Sequence, residues 1–402
     1  MGGLSQIERA AVDRAGAEPM LAQVEAWSAI NSGTANLDGL ARVAGLLADA
    51  FAALPGALEQ RDPAPVDTIE PDGRRREVAH GRNLHLVVRP DAPLQLLLTG
   101  HMDTVYGRDH PFQALRWLDE RTLNGPGVAD MKGGLAVMLA ALKGIEASPL
   151  ADRIGYEVVV NSDEETGSAG SAALIAAAAR GKRAALTYEP AALPDGTLAG
   201  ARPGSGNFSF IVTGRAAHAG RNPEDGRNAL VAAADLALRL DRAKGTRLSV
   251  NAARIDGGGP NNVVPDHAVL RLNCRPATLE DQQRAQSLID AAVASVAGEH
   301  EVAIHIHGGF GRPPKPLTPA AEALFGLVRD AGADLGQAIA WQPSGGVCDG
   351  NNIAACGVPV VDTMGVRGGK IHSGEEYLIV DSLGERAALS ALTILRLAGS
   401  GE

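Results

Sequence analysis

Histidines and carboxylates recur in this chain at the ends of short apolar runs, and those side chains hold divalent metal ions. His101 and Asp103 follow the run Leu94-Gln-Leu-Leu-Leu-Thr-Gly. A histidine with a carboxylate two residues on suits a metal ligand and the group that orients its ring. Asp130 ends the glycine-rich stretch Thr122-Leu-Asn-Gly-Pro-Gly-Val-Ala-Asp, and Glu164 and Glu165 sit in Asn161-Ser-Asp-Glu-Glu-Thr-Gly-Ser. Glu189 closes the run Ala184–Thr187, and His372 lies in Gly368-Gly-Lys-Ile-His-Ser-Gly. Uncompensated, so many carboxylates would repel one another and raise each other's pKa values. Cations are the natural compensation.

The counting works for two divalent ions. With Asp130 as a bridge, one ion takes His101, Asp130 and Glu189, and the other takes His372, Asp130 and Glu165. Each then has three protein ligands and an open position for water, as a catalytic zinc ion requires. Two doubly charged ions and three carboxylates leave one positive charge, which a bridging hydroxide neutralises. Ions about 3.5–4 Å apart lower the pKa of that water and clamp the oxygens of the reacting group. Adjacent residues on an extended or loop backbone point different ways, so Glu165 can ligate while Glu164 faces the water. Glu164 is therefore assigned as the general base, taking a proton and later delivering it to the leaving amine. Asp103 is assigned to the His101 ring. By itself, Asp163-Glu-Glu-Thr-Gly also reads as an acidic helix N-cap.

The elements that must position these residues follow from hydrophobic periodicity. Residues 5–60 carry helical spacing, with Leu40, Val43, Leu47 and Phe51 on one face. A Pro- and Asp-rich connection, Asp62–Gly73, leads to strands at Leu84–Val88 and Leu94 onward. Helix Gly134–Ile145, strand Tyr156–Val160, helix Ser168–Arg180 and strand Ala184–Thr187 then alternate, which implies α/β architecture with a mixed, mostly parallel sheet and helices on both faces. Ligands bind such sheets outside the carboxyl ends of the strands. From Asn207 to His307 the order becomes βαββαβ, the ferredoxin-like α+β signature. Helix Pro319–Ala331, strand Pro359–Thr363 and helix Asp381–Leu397 resume the first texture. The expectation is a discontinuous metal-binding domain, 1–202 and 313–402, with 203–312 inserted into it.

Composition bounds the function. The chain has 402 residues, 45% of them hydrophobic, which suits two packed domains. A formal charge of −10 and 3% aromatic residues argue against nucleic acid as a partner. Cys274, Cys348 and Cys356 are an odd count with no CxxC pair, which fits free thiols in a reducing compartment. Without a recognisable signal segment or a membrane-spanning apolar stretch, the expected location is cytoplasmic, with no membrane partner.

The combination of Gly100-His-Met-Asp-Thr-Val, Gly127-Val-Ala-Asp-Met-Lys-Gly-Gly, Asp163-Glu-Glu-Thr-Gly-Ser, Tyr188-Glu-Pro, Gly214-Arg-Ala-Ala-His-Ala-Gly and Ile371-His-Ser resembles the dinuclear zinc family of aminoacylases, acetylornithine and succinyl-diaminopimelate deacylases, and bacterial glutamate carboxypeptidases. The resemblance covers the chain from about residue 95 to its end. It implies the ligand roles reached by charge counting, two Zn²⁺ ions (Co²⁺ or Mn²⁺ suit the same ligands), and a cis peptide between Asp130 and Met131. It also implies that the inserted domain is a lid that dimerises, with His218 reaching the neighbouring subunit's site to stabilise the tetrahedral oxyanion. Glu189, where several deacylases carry Asp, points to the glutamate-carboxypeptidase branch.

A substrate ending in a carboxylate needs fixed donors, and arginine's fork is the best of them. Arg312 in Gly311-Arg-Pro and Asn262 in Asn261-Asn-Val-Val-Pro resemble the family's carboxylate-binding pair, and Arg275 is the next candidate. The loop Gly345-Gly-Val-Cys-Asp-Gly-Asn could line the pocket and place Asp349, or could be a tight turn. His305 and His307 have a metal-compatible spacing but suit an ordinary surface strand equally, and His80, His85, His110, His267 and His300 read as structural or solvent-exposed. The function expected is hydrolysis of an amide by metal-bound hydroxide, releasing a C-terminal amino acid such as glutamate. The alternatives are an N-acyl-amino-acid deacylase and, remotely, a non-catalytic metal-binding scaffold.

Overall fold

In the computed structural model, residues 3–399 are described. A six-stranded sheet runs in the order Ala57–Arg61, Asn83–Val88, Ile154–Asn161, Leu94–His101, Ala184–Thr187, Val360–Val361. The first two pairings are antiparallel and the last three parallel, so the sheet is mixed. Side chains alternate across a strand, and here both faces are covered. Leu96, Leu98, Val158 and Val160 face helices Gln6–Gly16, Gly134–Glu146 and Ser382–Gly399 within the main core. Leu97, Val159 and Ala185 face the other way, packing with Ile175 and Ile353 of helices Ala172–Ala179 and Asp349–Ala355. That is why these strands read as unbroken apolar runs. Each buried leucine contributes about 1.5–3 kcal/mol of transfer free energy, and the strand ends inherit the resulting rigidity.

A second, antiparallel sheet runs in the order Leu248–Gly257, His267–Pro276, Ser205–Thr213, Ala303–Arg312. Phe208 lies opposite Leu272 and Phe210 opposite Leu270, and the helices Ala229–Asp241 and Leu279–His300 close over that face in a separate apolar cluster. Both helices start where a side chain caps them: Asn228 accepts from the Val231 amide at 3.0 Å, and Thr278 from the Asp281 amide at 3.2 Å. The order is the βαββαβ expected.

Several local expectations need correction. The Asp62–Gly73 connection contains half of a hairpin, Val66–Ile69 with Arg75–Val78. Its contacts are on the polar face of the second sheet: Arg271 donates to the Ile69 carbonyl at 2.7 Å, and His307 pairs with Asp67 at 2.7 Å. His307 is therefore a partner of Asp67, while His305 is exposed. The helix read as Ser168–Arg180 begins only at Ala172, because Ser168 is left-handed at φ 57°. Residues 5–60 end in a strand, Ala57–Arg61. His85, buried against Glu157 at 2.7 Å, takes the structural of the two roles expected for it. A small sheet of Arg116–Asp119, Thr122–Asn124, Gly368–Gly369 and Tyr377–Ile379 escapes periodicity because its strands are two to four residues long. Among the described residues no helix is long and apolar enough to cross a membrane.

Candidate metal centre

The strand ends deliver the candidate ligands to one rim. His101 is the last residue of its strand and is buried, while Glu189 lies two residues past Ala184–Thr187. Asp130 sits in an irregular helical turn, Val128–Gly133, just before helix Gly134–Glu146, with a cis peptide to Met131. His372 lies in the turn between the short strands Gly368–Gly369 and Tyr377–Ile379, at φ 61°.

The two carboxylate oxygens of Asp130 face different histidines. Oδ1 is 3.1 Å from His101 Nε2, and Oδ2 is 3.2 Å from His372 Nε2. Glu189 lies 3.7 Å from the His101 nitrogen, and Glu165 lies 3.1 Å from that of His372. Ligand atoms 2.0–2.2 Å from a tetrahedral ion are separated by about 3.4 Å along each edge, and these four separations bracket that value. One ligand-type atom each from His101, Asp130 and Glu165 fall within 4.8 Å of one another, as do those of His101, Glu164 and Glu189. The donor set thus fits a divalent cation, with His101 common to both groups.

The electrostatics agree. Burial and the charge of Asp130 push Glu165 up to about 8. Burial, opposed by Arg312 and reinforced by Glu189, puts Glu164 at about 7. Burial likewise raises Glu189, against the pull of His101. Although burial disfavours an imidazolium, the carboxylates of Glu189, Asp103 and Asp130 hold His101 well above its ordinary range, and hydrogen bonds to Asp130 and Glu165 bring His372 to about 11. Among the candidate ligand carboxylates burial is outweighed only at Asp130, which hydrogen bonds from His101 and His372 hold well below the usual carboxylate range. Three glutamates that resist ionisation and two histidines that hold protons mark a cluster short of positive charge. Divalent ions would displace those protons.

Asp103 serves four neighbours. The Nδ1 of His101 lies 3.0 Å from the main-chain oxygen of Asp103 and 3.4 Å from its carboxylate. That carboxylate also accepts from the Glu164 and Glu165 amides, both at 3.2 Å, and from the Thr34 hydroxyl at 2.7 Å. It ties the ring of one candidate ligand to the backbone of the loop carrying another.

Glu376 was not anticipated. Fully buried, it accepts from the amides of Gly127, Ala129 and Asp130 at 3.0–3.2 Å and from the Tyr106 hydroxyl at 2.9 Å, so it shapes the turn that presents Asp130. The available signal was a second carboxylate shortly after His372, in Ser373-Gly-Glu-Glu.

The candidate substrate contacts are less uniform. Arg312 is buried and its guanidinium lies against Glu164, Ser168 and Asp349. Asn262 lies instead on an exposed hairpin, where its carbonyl accepts from the amide after His218, and no hydrogen bond among the described residues joins it to Arg312. Arg275, half-exposed, donates to the Gly345 carbonyl at 3.1 Å, beside the loop that lines a cavity of about 520 Å³. That cavity opens onto Asp130, Glu164, Glu165, Glu189 and His372 and is walled by Pro190, Ala191, Pro194, Val347, Ile371 and Tyr377. Asp349 does not point into it; the residue begins a helix and takes hydrogen bonds from Ser168 and Asn161 beneath the Glu164 loop. His218 is exposed on the strand pair Ala217–His218 with Val263–Val264. Its Nδ1 accepts from the Gly220 and Arg221 amides at 3.1 and 3.2 Å, which assigns the ring proton to Nε2.

A family model described as "Peptidase family M20/M25/M40" matches residues 97–396. Carboxypeptidase G2 of Pseudomonas sp. (strain RS-16) is 34% identical over 318 residues, 76% of this chain and 74% of that protein. A succinyl-diaminopimelate desuccinylase of Psychrobacter arcticus is 26% identical over 277 residues, 65% of this chain and 67% of the relative. The crystal structure of a tripeptidase from Staphylococcus aureus superposes with a TM-score of 0.71 at 21% identity, covering 96% of this chain and 99% of that one, and so shares the fold. With the family model spanning most of its length, the chain belongs to peptidase family M20/M25/M40 and is a metal-dependent amide hydrolase.

Proposed function

We propose that this protein is a carboxypeptidase-like hydrolase that binds two divalent cations, zinc in the first instance, and releases a C-terminal amino acid from an N-acyl or peptide substrate. The single observation that carries the reading is the division of Asp130, one oxygen toward His101 and the other toward His372, with Glu189 and Glu165 completing the two sets. Bound there, such cations supply an acidified water and a polarised scissile carbonyl. Co²⁺ or Mn²⁺ would suit the same ligands.

The chain's own residues do the rest. Glu164 is the base: Arg312 lies at its Oε1, so Oε2 takes the proton of the attacking water and later returns it to the amine nitrogen that leaves. A carboxyl near 7 is suited to both transfers at neutral pH. His218 donates its Nε2 proton to the carbonyl oxygen as charge builds there, and does so from a second subunit. Residues 203–312 form the lid and the homodimer contact, while 1–202 and 313–402 carry the centre. Arg275 grips the substrate's α-carboxylate beside the Gly345 loop. The apolar cavity wall accepts the acyl side. A cytoplasmic setting is part of the proposal, supported by three free thiols.

The similarity to Carboxypeptidase G2 favours a carboxypeptidase. Similarity to a desuccinylase supports the second reading, an N-acyl-amino-acid deacylase with a small acyl group. A hydrolysis screen of N-acyl amino acids and dipeptides on zinc-loaded protein separates the two by which acyl groups are cleaved. No amino acid released from any of them, or undiminished turnover by Glu164→Gln, would overturn the proposal.

A further inference from the structure

Arg312 stands at the last position of strand Ala303–Arg312, where the chain leaves the second sheet, yet its side chain is buried in the loop that carries Glu164. Its Nη1 is 2.7 Å from Glu164 Oε1, and its Nη2 donates to the Glu164 carbonyl and the Ser168 hydroxyl, both at 2.9 Å. Asp349 Oδ1 lies 3.5 Å from the same nitrogen and accepts from Ser168 at 2.5 Å. Asn161 donates to the other oxygen of Asp349 at 2.8 Å, closing a buried network. With Nη1 in the ion pair and Nη2 donating twice, only Nε, buried and without a hydrogen-bond partner among the described residues, is left, so the fork cannot turn two nitrogens to a substrate carboxylate, the role expected for it from sequence. Arg275, with a single main-chain acceptor and a neighbouring asparagine, retains that capacity.

We infer that Arg312 is a positioning residue: it fixes the carboxylate of Glu164 for proton transfer and latches the exit of the second sheet to the loop that bears it. The inference rests on Glu164 being the base. It makes the reactive geometry of that side chain depend on a residue supplied from the end of the 203–312 segment, so a displacement of that segment removes the restraint on Glu164. A misplacement of about 1 Å in such a group lowers turnover about 10²-fold.

The test uses full-length, zinc-loaded protein and a matched pair of substrates, one with a free α-carboxylate and one with an α-carboxamide in its place. Arg312→Leu should lower kcat about 10²-fold on both substrates alike, with KM changed less than about twofold. Arg312→Lys, which keeps the cation, should restore part of kcat. A loss confined to the carboxylate substrate, or one carried by KM, would show instead that Arg312 grips substrate and would overturn the inference. If Arg312→Leu does not fold, Ser168→Ala, which removes one of the two Nη2 acceptors, should show the same split in smaller measure; unchanged kcat in both Ser168→Ala and Arg312→Lys counts against the inference. Glu164→Gln keeps the two readings apart. If it is active, the base assignment fails. If it is inert while Arg312→Lys and Arg312→Leu turn over normally, only the positioning role fails.

Discussion

Arg202 and Lys315 face each other where the chain enters and returns from the second sheet, each backbone amide donating to the other's carbonyl at 2.9 and 3.0 Å. Their side chains converge on one carboxylate. Asp362, fully buried, takes Arg202 Nε at 2.8 Å and Nη2 at 3.2 Å, and Lys315 Nζ at 3.0 Å. The two crossing segments are thus fixed to each other and to the residue that follows the edge strand Val360–Val361. Thr363 extends the link, its hydroxyl accepting from the Ala199 amide at 2.9 Å on the cavity wall.

Replacing Asp362 with Asn leaves two buried cations facing each other without an anion. Breaking such a pair on one side costs about 3–5 kcal/mol, so Asp362→Asn should lower the urea midpoint sharply at neutral pH. Burial would raise the Asp362 pKa, but Arg202 and Lys315 outweigh it and hold the group below the usual carboxylate range. A folded pKa below the unfolded value of about 3.9 stabilises fully above that value and is lost as pH falls through the folded one. Wild type should therefore lose stability on acidification below about pH 5 more steeply than Asp362→Asn. Parallel urea midpoints from pH 7 to 3 would remove the assignment.

Two glycines should respond to alanine with opposite signs. A Cβ at Gly134 would lie 2.0 Å from the Tyr188 carbonyl oxygen, one residue before Glu189, whereas Gly298 in helix Leu279–His300 has nothing within 4 Å. Helix propensity alone favours alanine by about 1 kcal/mol at either site. Gly298→Ala should gain most of that in a thermal melt. Gly134→Ala should lose about 1–3 kcal/mol to overpacking and weaken metal binding as Glu189 is displaced. Equal melting temperatures for the two variants would contradict the close approach.

Burial on both sides of an element leaves a trace in sequence, whereas contacts made through the backbone or across long separations do not. Strand Leu94–His101 and helix Gly134–Glu146 were legible because burial on all sides writes an apolar run with only one solution at that length. The gathering of His101, Asp130, Glu165, Glu189 and His372 at one rim was legible because carboxylates and histidines at successive strand ends need a common explanation. Glu376 was not, since its partners are backbone amides, which leave no pattern of side-chain types. The Val66–Val78 hairpin was masked by prolines, and its Ile69 carbonyl meets Arg271 202 positions later. Arg312 was read as a free donor because nothing in Gly-Arg-Pro records that Glu164 and Asp349 meet its charge.

Metal removal should act on both candidate positions through Asp130. Chelation should abolish hydrolysis and lower the melting temperature, and zinc at 100 times its Kd should return about 2.7 kcal/mol. Because Asp130 faces both histidines, Asp130→Asn should reduce bound metal at both positions, whereas Glu165→Gln should reduce it at one. Elemental analysis of the purified variants reads this directly. Asp130→Asn protein that retains a full metal complement would show that the residue does not bridge.

The proposed role of His218 in a second subunit makes the last expectation the most selective. The residue is exposed, and its Nδ1 is engaged by two backbone amides, so only Nε2 is left to donate. Removing an oxyanion donor costs about 10²–10³ in kcat, so His218→Ala should be nearly inert although, among the described residues, none of its hydrogen bonds reaches the metal-centre residues. Glu164→Gln should be inert for a different reason, loss of the base. If the histidine acts across a dimer, mixing the two inert proteins and allowing subunits to exchange creates one site with both groups intact: the Glu164 of the first chain and the His218 of the second. Activity should then reappear, rising with the fraction of mixed dimers and falling on dilution below the dimer's Kd. If His218 acts within its own chain, every site in the mixture still lacks one group and no activity returns, whatever the proportions.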